Sequence, residues 1–315
     1  MQSIVNRIAS DLALDQTYIT KIIERSKYYY KNFSIPKKDG SMRPIAQASP
    51  ELKTLQYWVI HNFLCFFPLS KAAMAYNKGN SIKKHALEHT KSTHILHTDI
   101  EKFFPNIRPY HLSVIIQKNV DILEKNNLLF YDTIAVITKI CFYDEGLCIG
   151  TVSSPIISNI VLYDFDQHML SLCKENSLIY TRYADDIYIS SKKYIAPSIF
   201  EEVVTELDKM GFNINSSKTS YHSKKYRRKI TGVIITNSNQ ISVGLVMRKK
   251  IKKMIYNKLM HDTGNTQVIL GYLAYLKDVE PLTYNNFIIK YSSYCNGDLI
   301  SALKDSNNFK LNNKD

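Results

Sequence analysis

Apolar residues recur along this chain with a helical period in some stretches and in short continuous or alternating runs in others, and the two patterns set out its elements. Ile4, Ile8 and Leu12 are spaced for one face of a helix, and a second helix is expected from about Thr17 to Tyr29. Phe33 to Ile45 predicts a strand, a Lys37-Lys38-Asp39-Gly40 turn and a return strand, followed by a helix from about Pro50 to Phe66. A polar loop, Ala75 to Ile82, leads to a helix holding His85 and His89. His94 to Asp99 begins as a buried strand and stops before the Phe103-Phe104-Pro105 break. Residues 107 to 143 are expected to be mostly helical, with Ile134, Val136, Ile137 and Ile140 on an apolar face. After Gly150, Ser154-Pro155 opens a helix reaching about Cys173. Leu178 to Tyr183 and Ile187 to Ser190 form a hairpin, and Pro197 to Met210 an amphipathic helix ended by Gly211. Lys229 to Ile235 is expected to be one strand, with a turn at Asn237-Ser238-Asn239-Gln240 and a return strand from Ile241. A basic amphipathic helix over Arg248 to Leu259, helices over Thr266 to Tyr275 and Tyr284 to Tyr294, and a mobile polar tail from Asp305 complete the chain. No internal repeat or linker interrupts it.

Composition narrows the class. With 45% hydrophobic residues among 315, the chain can bury a substantial core. Lys and Arg exceed Asp and Glu by 41 to 28, a net charge of +13 that favours a polyanionic partner. The excess is local: between Lys218 and Lys258 stand twelve basic residues and no acidic one, with Tyr221, Tyr226 and Tyr256 interleaved. Such a run suits a phosphate backbone, although basic runs also serve as plain solvated faces. The five cysteines lack metal-ligand spacing and suggest neither a disulfide framework nor a zinc site. No apolar run reaches membrane-spanning length, so no membrane partner is expected, and the setting expected is reducing and cytoplasmic.

The chemistry concentrates in three acids. Asp185 and Asp186 stand at the tip of the predicted hairpin, where adjacent carboxylates repel unless a cation joins them. Hard oxygen ligands favour magnesium. Asp99, near the end of its own strand, can meet that tip if the strands lie side by side. Three carboxylates around two Mg2+ ions would form a clamp for in-line nucleotidyl transfer. An isolated Asp-Asp pair is otherwise an ordinary solvated turn. His85 and His89 are four apart on one helix, but Ala86 replaces the Glu of a metalloprotease motif and no third ligand is evident, so no zinc site is expected there. The two N-terminal helices could be a helix-turn-helix, but the second offers no obvious base-reading set, and packing is the expectation.

Asp99 followed by Phe103-Phe104, then Tyr183-Ala184-Asp185-Asp186, resembles the palm signature of reverse transcriptases. Gly-Thr-Val-Ser-Ser-Pro from Gly150 and Gly-Phe-Asn-Ile-Asn-Ser-Ser-Lys from Gly211 fall in the family's order and spacing. Two further elements resemble those of retron reverse transcriptases: the segment ending at His89, with His85 where the family usually has Asn, and Ile230-Thr231-Gly232, with Ile230 for the usual Val. The chain departs again at Ile149, where the family commonly shows Gln.

The resemblance implies an α+β right-hand polymerase fold with fingers, palm and thumb. It divides the chain into N-terminal helices and fingers over 1–95, a palm over 96–240 with a fingers insertion at about 107–145, and an RNA-binding thumb over 241–315. Asp99, Asp185 and Asp186 become the catalytic metal ligands for two Mg2+ ions. Nucleotide contacts fall to Arg43 and Lys37 on the basic hairpin, to Phe104 under the sugar as an excluder of the ribose hydroxyl, to Gly150 through close backbone approach, and to Lys218 near the phosphates. The hairpin's basic residues would equally protect an exposed edge, and Phe103 and Phe104 would equally serve a core. RNA contacts are expected at His89, Lys229, Thr231, Gly232, Arg248, Lys249, Lys252 and Lys253.

The implied activity is RNA-directed DNA synthesis from deoxynucleoside triphosphates on a cognate structured noncoding RNA, yielding branched, RNA-linked single-stranded DNA (msDNA). An antiphage system with a separate effector protein would be its setting. A group II intron-like maturase, an RNA-dependent RNA polymerase and a non-catalytic RNA-binding subunit of a defence complex are the alternatives. The first usually has a longer C-terminal region, the second prefers a smaller or polar residue at Phe104, and the third does not need three intact aspartates.

Overall fold

Ser3 caps the first helix, Ile4–Leu12, and its buried face of Ile4, Val5 and Ile8 meets the Ile19, Ile22 and Ile23 face of the second, Gln16–Glu24. In this computed structural model the described residues are 3–37, 40–295 and 297–304. The turn residues Lys38 and Asp39 and the tail expected from Asp305 lie outside them. The helix expected to run on to Tyr29 instead tightens to a 3₁₀ turn at Ser26–Tyr29, and the next, Pro50–Asn62, likewise gives way to one at Leu64–Phe66.

The chain folds as two compact units, each assembled from separated segments: Met1–Asn80, Leu96–Ile189 and Ile195–Ser220 in the first; Ser81–Ile95, Ser190–Tyr194 and Tyr221–Asp315 in the second. The unit boundaries fall inside three strands.

In the first unit β1 (Tyr30–Pro36) pairs antiparallel with β2 (Met42–Ala48), with Ile35 opposite Arg43. β3 (His94–Asp99), β4 (Ile179–Tyr183), β5 (Asp186–Ser191) and β6 (Ser220–His222) form a four-stranded sheet in the order β4-β5-β3-β6. The expected hairpin and the expected strand ending in Asp99 are therefore neighbours. Ile157, Ile160, Phe165, Met169, Ile199, Val203 and Leu207, from the helices Ser154–Val161, Tyr163–Glu175 and Pro197–Lys209, belong to the same core as Leu96, Ile187 and Ile189 of the sheet. Ser154 does open a helix, but the chain breaks at Leu162 and restarts. The expected helical stretch after residue 107 is present as Pro109–Lys118, Val120–Lys125 and Thr133–Cys141.

The second unit holds the short helix Ile82–Glu88, the strands β7 (Arg228–Ile230), β8 (Val233–Ile235) and β9 (Ile241–Ser242), and the helices Leu245–His261, Thr266–Val279, Pro281–Ser292 and Leu299–Lys304. Here the single strand expected over Lys229 to Ile235 is corrected. Thr231 (φ 43°) and Gly232 (φ 95°) turn the chain back, so that Ile230 faces Val233 and Arg228 faces Ile235. Positive φ at both turn residues suits the twist of a two-residue hairpin, and glycine takes it without steric cost. Ile230, Val233, Ile235, Ile251, Ile255, Leu273, Leu276 and Phe287 are buried there. Strands and helices thus mix without regular βαβ alternation, an α+β architecture. No helix among the described residues is long and apolar enough to cross a membrane.

Candidate active site

The tip of the β4-β5 hairpin is held from behind. Ala184 turns the chain with φ 56°, a left-handed conformation that costs a non-glycine residue energy. Arg182, wholly buried, donates from Nη1 to the Ala184 carbonyl at 2.9 Å and from Nε and Nη2 to the Asp166 carboxylate at 2.9 and 2.7 Å. Tyr180 Oη donates to the same carboxylate at 2.6 Å. The Arg182 backbone is pinned as well, its N–H to Ala72 O at 2.8 Å and its carbonyl to Met74 N at 2.7 Å. A buried charge so fully matched fixes a turn more firmly than backbone pairing alone.

That rigid tip meets the end of β3. Ile100 N donates to the Asp185 carbonyl at 3.0 Å, while the Asp99 carbonyl accepts from Asn215 N at 2.8 Å. Asp99 and Asp185 therefore lie on adjoining backbone, with the segment before Lys218 on the other side. Lys218 Nζ donates to both Asp99 oxygens, at 2.9 and 2.8 Å, and this contact raises the Lys218 pKa. Asp186 Oδ1 takes a 2.6 Å hydrogen bond from His97 Nε2, whose ring stacks on Tyr188. Among the described residues no side chain pairs directly with Asp185, although the Lys218 charge acts on it. Burial first, then the Asp186 and Asp99 carboxylates, push its pKa up to about 6. The three carboxylates share one field without closing into a cage with donor atoms within 4.8 Å; Asp99 faces Lys218 and Asp186 faces His97. An all-oxygen set of like charges, with Asp99 buried and Asp185 and Asp186 half-buried, fits a hard divalent cation.

Around this centre the remaining expected nucleotide contacts sort by exposure. Gly150 (φ 118°) lies so close to β2 that a Cβ would stand 2.7 Å from the Ala46 carbonyl, and Ala46 N donates to Ile149 O at 2.9 Å. The tightness that glycine relieves is thus against the hairpin carrying Arg43. Arg43 and Lys37 are exposed, and Lys37 N closes the hairpin on Ser41 O at 2.7 Å. Phe103 is the buried member of its pair, while Phe104 is half-buried and stacked on it at 5.5 Å. Sequence reasoning missed Tyr76. Its ring lies 6.4 Å from that of Phe104, and its hydroxyl feels the Asp185 carboxylate and the Arg43 guanidinium after the larger effect of burial. It reaches this place through a left-handed backbone, φ 59°, in a loop whose sequence signals only a turn.

The residues expected to meet RNA lie in the second unit and divide by their partners. Lys229, Gly232, Lys249, Lys252 and Lys253 are exposed. Thr231 Oγ1 is hydrogen-bonded to His85 Nδ1 at 3.3 Å. Arg248 pairs with Glu280 at 2.5 Å. His89 is corrected: it is wholly buried, its Nδ1 is 2.7 Å from Ser190 Oγ, and burial lowers its pKa to about 3, so its ring packs the unit and does not present itself to RNA. His85 is equally buried, with its ring edge-on to that of His89, and the pair forms no metal cluster.

A family model described as reverse transcriptase (RNA-dependent DNA polymerase) matches residues 35–235. Retron Ec83 reverse transcriptase of Escherichia coli is 30% identical over 282 residues, covering 85% of this chain and 88% of that protein. Retron Ec73 reverse transcriptase of the same species is 30% identical over 294 residues, 88% of this chain and 92% of its own length. Among solved structures, an apo telomerase from Candida tropicalis truncated from its C-terminal domain aligns with a TM-score of 0.50 at 14% identity. That alignment covers 72% of this chain and 58% of the telomerase, less than two-thirds of it, and at such identity it speaks for the fold alone.

Proposed function

This chain belongs to the reverse transcriptase family and is a retron-type RNA-directed DNA polymerase, and from that premise we propose that it copies a cognate structured noncoding RNA into RNA-linked single-stranded DNA. Enzymes of this family depend on a divalent metal ion and work on an RNA template. Two Mg2+ ions held by Asp99, Asp185 and Asp186 are the set proposed here, and when bound they would activate the primer hydroxyl and neutralise charge on the departing pyrophosphate.

The observation that carries this reading is the Ile100 to Asp185 backbone bridge, which joins the end of β3 to the hairpin tip and brings the half-buried Asp185 among like charges. The chain's own side chains then divide the work. Arg182 keeps the tip from moving, so that Asp185 and Asp186 present fixed oxygens. Lys218 holds Asp99 in place, and with a metal held by that carboxylate its ammonium would be free to face phosphate oxygens. Arg43, with Lys37 beside it on the hairpin, supplies forked donors for the triphosphate, and Gly150 lets that hairpin lie close. The Phe104 ring occupies the space a ribose 2′-hydroxyl would need. Residues 1–95, 96–240 and 241–315 correspond on this reading to fingers, palm and thumb. The exposed Lys229, Lys249, Lys252 and Lys253 follow the RNA backbone. Service in an antiphage system with a separate effector protein, in the cytoplasm, belongs to the same proposal.

The test is to purify the protein from cells carrying its native locus, beside an Asp185→Asn control, and to digest the bound nucleic acid with RNase and with DNase. Short single-stranded DNA joined to RNA, absent from the control, is the expected result. RNA without DNA in both samples would mark the chain as a non-catalytic RNA-binding subunit, and no specific nucleic acid in either would remove the case for a cognate RNA.

A further inference from the structure

Away from the aspartates, one group of donors in the first unit is given no role in the polymerisation proposed above. His168 projects from the helix Tyr163–Glu175, while Glu202 and Glu206 stand one turn apart on the helix Pro197–Lys209. One donor atom from each lies within 4.8 Å of the others, with His168 Nε2 2.9 Å from Glu202 Oε1. Among the described residues this is the one group of three such side chains so gathered. We propose that His168, Glu202 and Glu206 form a transition-metal site, best suited to Zn2+, that clips these two helices together.

The donor set argues for the metal. Zinc accepts both an imidazole nitrogen and carboxylate oxygens, and three protein ligands leave a fourth position for water. Magnesium, which prefers oxygen, has little use for the histidine. When the ion binds, the imidazole carries its proton on Nδ1 and turns the Nε2 lone pair inward, so the present hydrogen bond to Glu202 gives way to shared coordination. Lys209 also pairs with Glu206, but its side chain is largely exposed, and such a pair yields readily to a divalent ion. The scaffold is already in place: Phe165, Met169 and Cys173 on one helix and Ile199, Val203 and Leu207 on the other are buried in one core below the donors.

The location gives the clip a purpose. The helix bearing His168 also bears Asp166, the carboxylate that anchors Arg182 behind the acidic turn. A metal that ties this helix to its neighbour would stiffen the support of the hairpin without touching nucleotide or template. The inference stands on these two helices and does not depend on the proposed substrate.

Isothermal titration with Zn2+, in excess Mg2+ to keep the aspartates occupied, is the test. The full chain is expected to bind one Zn2+ in a manner insensitive to Mg2+. His168→Ala and Glu206→Gln are each expected to weaken that binding by no less than about tenfold. His168 is exposed and Glu206→Gln keeps the shape of a partly buried side chain, so each metal-free variant is expected to unfold cooperatively and serves as its own baseline, and Zn2+ should raise the midpoint of the parent alone. Zn2+ binding that persists unchanged in His168→Ala and Glu206→Gln, or that Mg2+ displaces, would overturn the site. So would the absence of binding by a parent that unfolds cooperatively.

Discussion

Arg182 and Asp166 carry charge into a wholly buried place, where Arg182 holds the Ala184 carbonyl at the turn. Breaking such a pair leaves its partner uncompensated: Arg182→Met or Asp166→Asn alone is expected to cost about 3–5 kcal/mol, measured by denaturant unfolding. Replacing both with apolar residues should restore much of that stability but not DNA synthesis, because the turn loses its donor. Phe104→Ala should raise ribonucleotide over deoxynucleotide incorporation by about tenfold or more in single-nucleotide extension assays. That the strand ending in Asp99 adjoins the hairpin of Asp185 and Asp186 was legible in the sequence, because their apolar runs mark strands and the motifs around them fall in a known order. Tyr76 and Asp166 were not: their importance comes from neighbours more than ten residues away in the chain, and nothing beside them marks it.

At the level of elements, Gly150 and the β1-β2 hairpin act together. Gly150→Ala would set a methyl group 2.7 Å from the Ala46 carbonyl on a backbone with φ 118°, so one of them must move. A loss of about 1–3 kcal/mol and a raised KM for deoxynucleotides are expected, read by unfolding and by steady-state kinetics. The helix ending before His89 brings a pH dependence. Its imidazole titrates at about 3 when folded, against an ordinary 6.5, so the unfolded chain binds the extra proton between those values. Stability from this group is complete above pH 6.5 and falls as the pH drops toward 3. His89→Gln should flatten that slope in denaturation series run between about pH 5 and 7. Strand and helix types followed from periodicity, whereas the β7-β8 turn did not. Thr231-Gly232 sits inside an apolar run, and only the positive φ of both residues reveals the reversal.

For the molecule as a whole, the net charge of +13 overstates what is available to a polyanion. Of the basic run from Lys218 to Lys258, Arg228 is buried and held by the Ser92 and Thr236 carbonyls, while Lys218, Arg248 and Lys258 face carboxylates. Lys249 and Lys253 are among those left exposed. Exchanging both for Gln should weaken RNA binding evenly across sequences and lower the slope of log affinity against log salt by about one per lysine, measured by filter binding. The run of basic residues could be read directly, but which of them are already paired depends on contacts such as Arg248 with Glu280, beyond the reach of composition.

The interleaving of the two units bears on how the chain is made. The segment Ser81–Ile95 belongs with Tyr221–Asp315, yet it leaves the ribosome well over a hundred residues earlier. At a synthesis rate of about 5–20 residues per second, it waits on the order of ten seconds for the strands that will cover His85 and His89. A nascent chain halted in that interval has its first unit incomplete and its second barely begun, so truncation or slow translation between residues 96 and 220 should deliver aggregation-prone polypeptide and no smaller working polymerase.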